Sequence, residues 1–576
     1  MNLEVLLKEY ANDNRCFQIA DKITLSKPQQ IHLSGLQGSA ISFVLAGVFN
    51  QPVTSQLNHL VILKDAEEAA YFHNTFENIT NALDIFYFPA SFKTKKNYRL
   101  LNSSHVMLRT EALTKLAHGA NKKVVITYPE ALFEKVVLPK TLSDNIISIR
   151  QSEALDVNGI LARFVDYGFE RTDFVYEPGQ FAVRGGILDI YSFGNEKPYR
   201  IELFGNEVDS IRIFDPESQL SERKLLQVNI IPNVETQFET GDKVSLFEFL
   251  PENTVVWSED WQFIKEKIQQ QEEDLELFLS ITAPVVAAKA SPDDDNDLTE
   301  KKDVTPEDFV KASCLEEQVQ HRHVLEFGKK SFFQQKVGGD EHTNLKFNTR
   351  EQPAFNRQFD LLIKDLKEYE AKKYNIYIFA DNPKQLERLH IIFTDLKAEI
   401  QVTPVPTSIH EGFIDDDNRS VCYTDHQIFQ RYHKYKVKQA FSKNKALTLK
   451  TLRELQPGDY VTHIDHGVGV YSGLQKIEAN GKMQEAVRVQ YKDGDLLYVN
   501  ISSLHKIGKY SGKEGTVPKM NKLGSDVWNR LKDKTKKQVK DIATDLIKLY
   551  AQRKSQTGFA HSPDNYMQTE LEAYFI

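Results

Sequence analysis

At 576 residues the chain is too long for a single core, and at roughly 150 residues per domain it should hold about four domains. Hydrophobic residues make up 41% and charged residues 27%, and 35 Phe and 23 Tyr supply core material, which excludes global disorder. A formal charge of −9 argues against a chain that coats nucleic acid over its whole surface, so charge has to be read segment by segment.

The first ten residues read as an amphipathic helix without the basic, apolar and cleavable parts of a secretory signal. The longest apolar run, residues 40–49, is far short of the ~20 residues that span a bilayer, so no membrane partner and a cytoplasmic location are expected. Short apolar strands at 31–33, 59–63, 84–88 and 123–127 alternate with helical patterns, which implies βαβ units on a parallel sheet. From 154 to 231 the pattern turns antiparallel, punctuated by Gly185-Gly186 and Gly205-Asn206. Apolar strands are expected again over 244–256, followed by an acidic run at 291–303 that reads as an exposed loop. A helix, a strand at 376–379 and a second helix over 382–396 outline a small α/β unit ending near Phe441. Between 451 and 511 short strands crowd around Pro457-Gly458, His466-Gly467, Asn480-Gly481 and Asp493-Gly494, as in a small bent barrel of four or five strands. A helix follows, with Ser525 as its expected N-cap and apolar residues from Trp528 to Leu549 at spacings of three and four. The last residues carry no helix-ending signal, and the chain reads as cut short. Cys16, Cys314 and Cys422 are too far apart for a metal or disulfide framework.

After the strand at 31–33 comes Gly35-Leu-Gln-Gly38-Ser-Ala40-Ile41-Ser42. Laid on the phosphate-binding pattern G-x-x-x-x-G-K-[ST], it keeps the first Gly and the hydroxyl but has Ala40 for the second Gly and Ile41 for the Lys. Ile41 cannot neutralise phosphate, so the stretch is expected to be a degenerate loop that binds no nucleotide. The plain alternative is a Gly-rich strand-to-helix turn that never held a nucleotide; a degenerate loop in a nucleotidase-like architecture points to a lost activity and a retained scaffold.

The block Tyr167-Gly-Phe-Glu-Arg171, Glu177 to Asp189 with its Arg184-Gly-Gly186, and Pro198-Tyr-Arg200-Ile-Glu202-Leu-Phe204 through Asp215 resembles the second domain shared by UvrB and the bacterial transcription-repair coupling factor (Mfd) family. Pro457-Gly-Asp-Tyr-Val461 to Gly469, with Leu497 to His505, resembles the RNA polymerase-interacting module that this family shares with small transcription regulators. Both blocks in this order resemble the coupling factors over essentially the whole chain, and UvrB lacks the second. The resemblance implies a multi-domain α/β fold. Residues 1–145 and 235–345 would form a UvrB-like degenerate nucleotidase-type α/β domain. An inserted α+β domain of UvrA-binding type would occupy 146–234, and a small α/β third domain 352–442. A Tudor/SH3-like small β-barrel would follow at 451–515, and a relay helix leading to a translocase at 520–576. Members of the family continue into an ATP-dependent DNA translocase motor. No G-x-x-x-x-G-K-[ST] or D-E-x-[HQ] run occurs here, so ATP, Mg and most double-stranded DNA contact are expected only in that motor, and this chain is expected to be no enzyme. UvrB inserts an aromatic hairpin into damaged DNA, and the corresponding stretch, Phe88-Pro-Ala-Ser-Phe92, is too short to read a lesion.

Strand alternation puts Arg200, Glu202 and Phe204 on one face. Cross-strand or neighbouring ion pairing on a solvated face explains Arg200 and Glu202 but leaves Phe204 unexplained, and Arg with Phe is the composition of an interface hot spot, with Arg184 alongside. By resemblance Arg184, Arg200 and Phe204 are UvrA-binding residues. In the barrel, His463, Asp465 and His466 invite a metal reading, but a turn explains His466-Gly467 better. Leu474 and Ile477 lie near a loop, with core packing as the plain alternative. By resemblance they contact the RNA polymerase β subunit through strand addition. Residues 519–554 hold eleven Lys and Arg against four Asp, a basic helix that a solvated face explains, since no stacking aromatics interleave with the cations.

The expected function is transcription-coupled nucleotide excision repair, in which a monomer binds stalled polymerase and recruits UvrA. A UvrB-like excision subunit or helicase, and a stand-alone polymerase regulator, are the alternatives.

Overall fold

The structure is a computed structural model that describes residues 2–80, 84–94, 97–117, 122–216, 219–238, 240–281, 298–300, 304–333, 342–431, 456–479, 482–500, 506–510 and 518–555. The chain divides into two compact units, one of residues 1–216 and 220–442, the other mainly of 443–576.

The first unit is built on a seven-stranded sheet in the order His342–Lys346, Gln30–Ser34, Val324–Phe327, Thr254–Glu259, Asn58–Ile62, Val124–Thr127, Ile85–Tyr87. Every pairing in it is parallel, as the βαβ pattern predicts. Its central strands are mostly apolar, as burial on both faces requires: Val61, Val125, Ile126, Val256 and Trp257 are all buried. The expected apolar strands of 244–256 contain a helical turn instead, Leu246–Phe249. The Ser245 hydroxyl accepts from the Glu248 amide and caps that turn before the strand Thr254–Glu259 begins.

The antiparallel module is inserted between strands of this sheet. Where the chain enters and leaves, Ile147–Arg150 pairs antiparallel with Gln227–Ile230, so one short ribbon closes the insertion at its base. Within it a six-stranded sheet runs Ser221–Leu225, Glu207–Phe214, Tyr199–Phe204, Ile187–Ile190, Gln180–Arg184, Glu170–Arg171. The helix Val157–Asp166, capped by the Asp156 side chain, covers one face with Phe164. Gly185-Gly186 and Gly205-Asn206 connect consecutive strands, and Gly185 and Gly205 have positive φ, as tight hairpin turns require.

A mixed five-stranded sheet follows, in the order Thr349–Glu351, Phe413–Asp415, Ser420–Thr424, Asn375–Phe379, Thr403–Val405. Its helices, Phe359–Ala371 and Pro383–Asp395, fall where the apolar period places them, and the Asn382 side chain caps the second. One face packs on these helices through Leu362, Leu366, Leu389 and Ile378. The other face joins the core of the parallel-sheet domain: Phe379 and Phe413 lie 6.2 and 5.5 Å from the ring of Phe43. Tyr10 of the N-terminal helix donates to the buried Asp415 carboxylate at 2.7 Å across the same junction.

In the second unit five antiparallel strands run Leu496–Asn500, Lys482–Gln490, Gly467–Ala479, Tyr460–His463, Ile507–Lys509 around Val461, Val487, Val489, Tyr491, Val499 and Ile507. The helix Val527–Ser555 follows. Its start differs from the sequence expectation. The Ser525 hydroxyl donates to the Lys522 carbonyl at 2.8 Å, closing the preceding turn, and Arg530 N–H bonds Asp526 C=O, so Ser525 is not the cap. The Asn480-Gly481 turn, the residues after 555 and most of the acidic run at 291–303 lie outside the described residues. Among the described residues no helix is long and apolar enough to cross a membrane.

A fully buried cation ties several elements together. Arg109, on the helix Ser103–Ala117, bonds Glu235 just beyond the inserted module at 2.8 Å and the Pro89 carbonyl at 2.9 Å. It also lies 3.8 Å from Glu134 and over the ring of Phe88. Removing one partner from such a group strands the others in a low-dielectric interior. Arg109→Ala is expected to lower the unfolding free energy of this unit by about 3–5 kcal/mol, measured by denaturant titration.

Candidate partner-binding surfaces

The degenerate loop is closed by the chain itself. Gly35 takes φ +80°, and a Cβ there would lie 2.1 Å from the Phe347 carbonyl oxygen. The Thr349 hydroxyl accepts from the Gln37 amide at 2.7 Å and donates to the Gly35 carbonyl at 2.9 Å. The Ser39 amide donates to the Glu411 carbonyl, and the Glu411 amide returns a bond to the Ser39 hydroxyl. A Cβ on Gly38 would meet the Gly412 carbonyl at 2.8 Å. Amides that would close on an anion in a phosphate loop therefore face protein acceptors here. Ala40, Ile41 and Ser42 open the helix Ala40–Phe49, of which every residue is buried.

The stretch from Phe88 to Phe92 is likewise internal. The Ala90 amide bonds the Tyr128 hydroxyl and the Ser91 amide bonds Glu134, at 2.9 and 2.7 Å, with Phe88 and Phe92 buried.

On the six-stranded sheet of the inserted module, Arg184 lies on the strand Gln180–Arg184 and Arg200 and Phe204 on Tyr199–Phe204, with the strand Ile187–Ile190 between them. Asp189, fully buried, stands opposite Arg200 in the register. Its carboxylate accepts Arg200 Nε and Nη2 at 2.8 and 2.9 Å and pairs with Arg184 Nη2 from the other side. Arg184 also donates to the Asp173 carbonyl and lies 4.4 Å above the ring of Phe174, while Arg200 lies 4.3 Å above Phe214. Glu202 does not pair with Arg200. It binds Arg212, the residue opposite Arg200 on the next strand, at 3.0 and 3.1 Å. Of the two arrangements open to these charges, cross-strand or neighbouring pairing, the structure has the cross-strand one, because cross-strand neighbours approach more closely than residues two apart on one strand. The register with Glu207–Phe214 shifts between Glu202 and Leu203, where Asp209 is the extra residue, and Phe204 at the strand's end is 85% exposed. Asp189, Phe174 and Phe214 were not singled out from sequence. Counting back from the Gly185-Gly186 hairpin places Asp189 opposite Ala182 and one strand from Arg200, which is the signal that could have found it.

In the barrel, the rings of His463 and His466 stack at 4.7 Å. Burial, helped by the nearby His466, lowers the pKa of His463, and its Nδ1 accepts from the Asp465 amide. Among the described residues no three His, Cys, Asp or Glu stand together to hold a metal. The strand Gly467–Ala479 is bulged between Tyr471 and Leu474, with Gly473 at φ +96°. Beyond the bulge it pairs with Lys482–Gln490 on one side, Leu474 opposite Val487 and Ile477 opposite Gln484. Its pairing with Tyr460–His463 on the other side ends at Val470. Backbone bonds linking Tyr471 to Asp459 and Gly458 carry the contact one residue farther. Beyond Tyr471 this edge has no strand partner among the described residues, and Leu474 there is 53% exposed. The side chain of Ile477 lies outside the described residues.

The helix Val527–Ser555 is anchored where Trp528 Nε1 and Lys532 Nζ donate to the Ile464 carbonyl at 2.9 and 3.0 Å. Asn521 bonds Val468 through both its amide and its side chain. Farther along, Lys534, Lys536, Lys537 and Lys540 are exposed, as are Leu531, Val539, Ile542, Leu546 and Leu549.

Residues 147–235 match the UvrB interaction domain and residues 455–511 the CarD-like/TRCF RID domain. The transcription-repair-coupling factor of Bacillus subtilis is 27% identical over 94% of this chain and 50% of its own length. Those of Staphylococcus haemolyticus and Staphylococcus aureus strain Mu50 are 26% and 24% identical, over 99% and 94% of this chain and 52% and 50% of theirs. The chain spans about half the length of the curated relatives it matches. Relatives of one name thus cover 94 to 100% of the chain, and both domain types are in place, so along its length the chain is similar to about half of a transcription-repair-coupling factor.

Proposed function

We propose that this chain serves transcription-coupled nucleotide excision repair as a two-partner adaptor. Its barrel docks on the β subunit of stalled RNA polymerase, and its inserted module recruits UvrA. The observation that carries this reading is the joint presence, on one chain, of a UvrB interaction domain at 147–235 and a CarD-like/TRCF RID domain at 455–511. The solvent-facing Phe204, on the same sheet as two guanidinium groups each held over a ring, supports the first contact, since aromatic and arginine anchors dominate interface energetics. The strand edge beyond Tyr471, without a strand partner among the described residues and with Leu474 exposed, supports the second, because such an edge is a template for strand addition. The chain acts as a monomer and catalyses nothing itself. ATP, Mg and most DNA contact belong to the translocase motor of the full-length coupling factors. Pull-downs with separately purified UvrA and polymerase β subunit test the reading. Capture of both is expected, and capture of neither overturns it.

The closed loop between Gly35 and Ser42 is proposed to bind no nucleotide. Calorimetry is expected to show no saturable heat with millimolar ATP, and none after Ile41→Lys either, because the neighbouring amides are already engaged. A micromolar dissociation constant in either protein refutes the proposal.

Arg200→Ala is expected to cost on the order of 2 kcal/mol of UvrA affinity while leaving polymerase binding unchanged. An unaltered UvrA dissociation constant in a folded variant removes Arg200 from the site.

Ile477→Arg places a charge at the proposed polymerase edge and is expected to abolish β-subunit binding with the melting temperature unchanged. A collapsed melting temperature assigns Ile477 to the core, and full binding with full stability moves the polymerase surface elsewhere on the barrel.

A further inference from the structure

The arginine surface of the inserted module converges on a single buried anion. Asp189 has no exposed surface, and isolating a carboxylate in this way is unfavourable unless cations and donors surround it. Arg200 meets it with a two-point fork and Arg184 with one Nη from the neighbouring strand. Each guanidinium also lies over an aromatic ring, Phe214 for Arg200 and Phe174 for Arg184. A guanidinium held at one edge by a carboxylate and across its plane by a ring has few conformations left. Long flexible side chains lose entropy when an interface orders them, and here that ordering precedes binding. Both arginines remain partly open to solvent, at 24% and 14% side-chain exposure, so the clamp holds them without burying them.

We propose that Asp189 is the positioning residue of this surface, acting on the partner only through the orientation it imposes on Arg184 and Arg200. The inference rests on the reading of this face as the UvrA-binding surface. Asp189→Asn is nearly isosteric, but it replaces one acceptor oxygen by an N–H₂ group aimed at guanidinium donors, which releases the fork. The amide also leaves the two cations without their shared counter-charge.

The test is UvrA affinity of the whole chain, by surface plasmon resonance with thermal melting in parallel, for wild type, Asp189→Asn, Arg184→Ala/Arg200→Ala and the triple variant. Asp189→Asn is expected to weaken binding on the order of thirtyfold, comparable with removing a hot-spot arginine. In the double-alanine background it should cost nothing more, because its route to the partner is gone. A folded Asp189→Asn that binds like wild type overturns the proposal, and so does an equal loss in both backgrounds. Should Asp189→Asn fail to fold, Arg200→Lys decides. It keeps the charge but cannot form the two-point fork, so a thirtyfold loss supports positioning and retained affinity overturns it. If wild type does not bind UvrA, the reading of the surface falls and the inference with it. If wild type binds and the Asp189 and lysine variants do too, only the inference falls.

Discussion

A helix that is apolar on every side has to be covered on every side, and the architecture of the first unit follows from that requirement at Ala40–Phe49. All ten of its residues are buried. One side faces the N-terminal helices, where Gly47 lets the Tyr10 carbonyl and the Cys16 sulfur come close enough that a Cβ would clash with the first. Phe43 reaches the five-stranded sheet through Phe379 and Phe413. The third domain is therefore the second wall of one core, and Tyr10 bonded to Asp415 shows the polar groups at that junction paired as burial demands. Once the sheet sits there, the segments 347–349 and 411–412 have to cross the mouth of the loop before the helix, and they take up its amides. A lysine at position 41 would be buried in this arrangement, and Ile41 suits the site that the packing creates.

The inserted module solves a different problem. It is tied to the parallel-sheet domain at its base ribbon and through Arg109 to Glu235, and its own core is separate. Its polar face is free to be specialised. There the sheet pairs charges across strands, Arg200 with Asp189 and Glu202 with Arg212, in preference to pairing them along one strand. Holding two arginines on one buried carboxylate restricts them without removing them from solvent.

The barrel and its following helix show how a small fold leaves apolar groups outside. Among the described residues its buried core is four valines, Ile507 and Tyr491, with Tyr471, Leu497 and Leu523 packed against them, and past the bulge at Gly473 the strand runs beyond its pairing with Tyr460–His463. Trp528 and Asn521 fasten the start of the helix to the loop around Gly467, where a Cβ would collide with Asn521.

Much of the fold was legible in the amino-acid order because it rests on local physics. Period-two and period-3.6 apolar patterns located the parallel strands, the antiparallel module and the helices at 359–371 and 383–395, and Gly-Gly and Gly-Asn placed hairpin turns. Arg184, Arg200 and Phe204 could be selected by residue type and alternation, and Ile41 by its place in a known spacing. What local pattern could not contain was pairing between distant segments. Thr349 and Glu411 close a loop more than 300 residues earlier, Ser525 yields the helix start to Asp526 because its hydroxyl serves the turn before it, and Asp189 governs two arginines on different strands. The sequence by itself determined which segments become strands and helices and which carry arginine and aromatic groups, since those choices depend on neighbours within a few residues. Only the tertiary structure decided that the phosphate-type loop is filled by the chain itself and that one buried carboxylate orders the arginine surface, because hydrogen bonds and ion pairs follow distance in space.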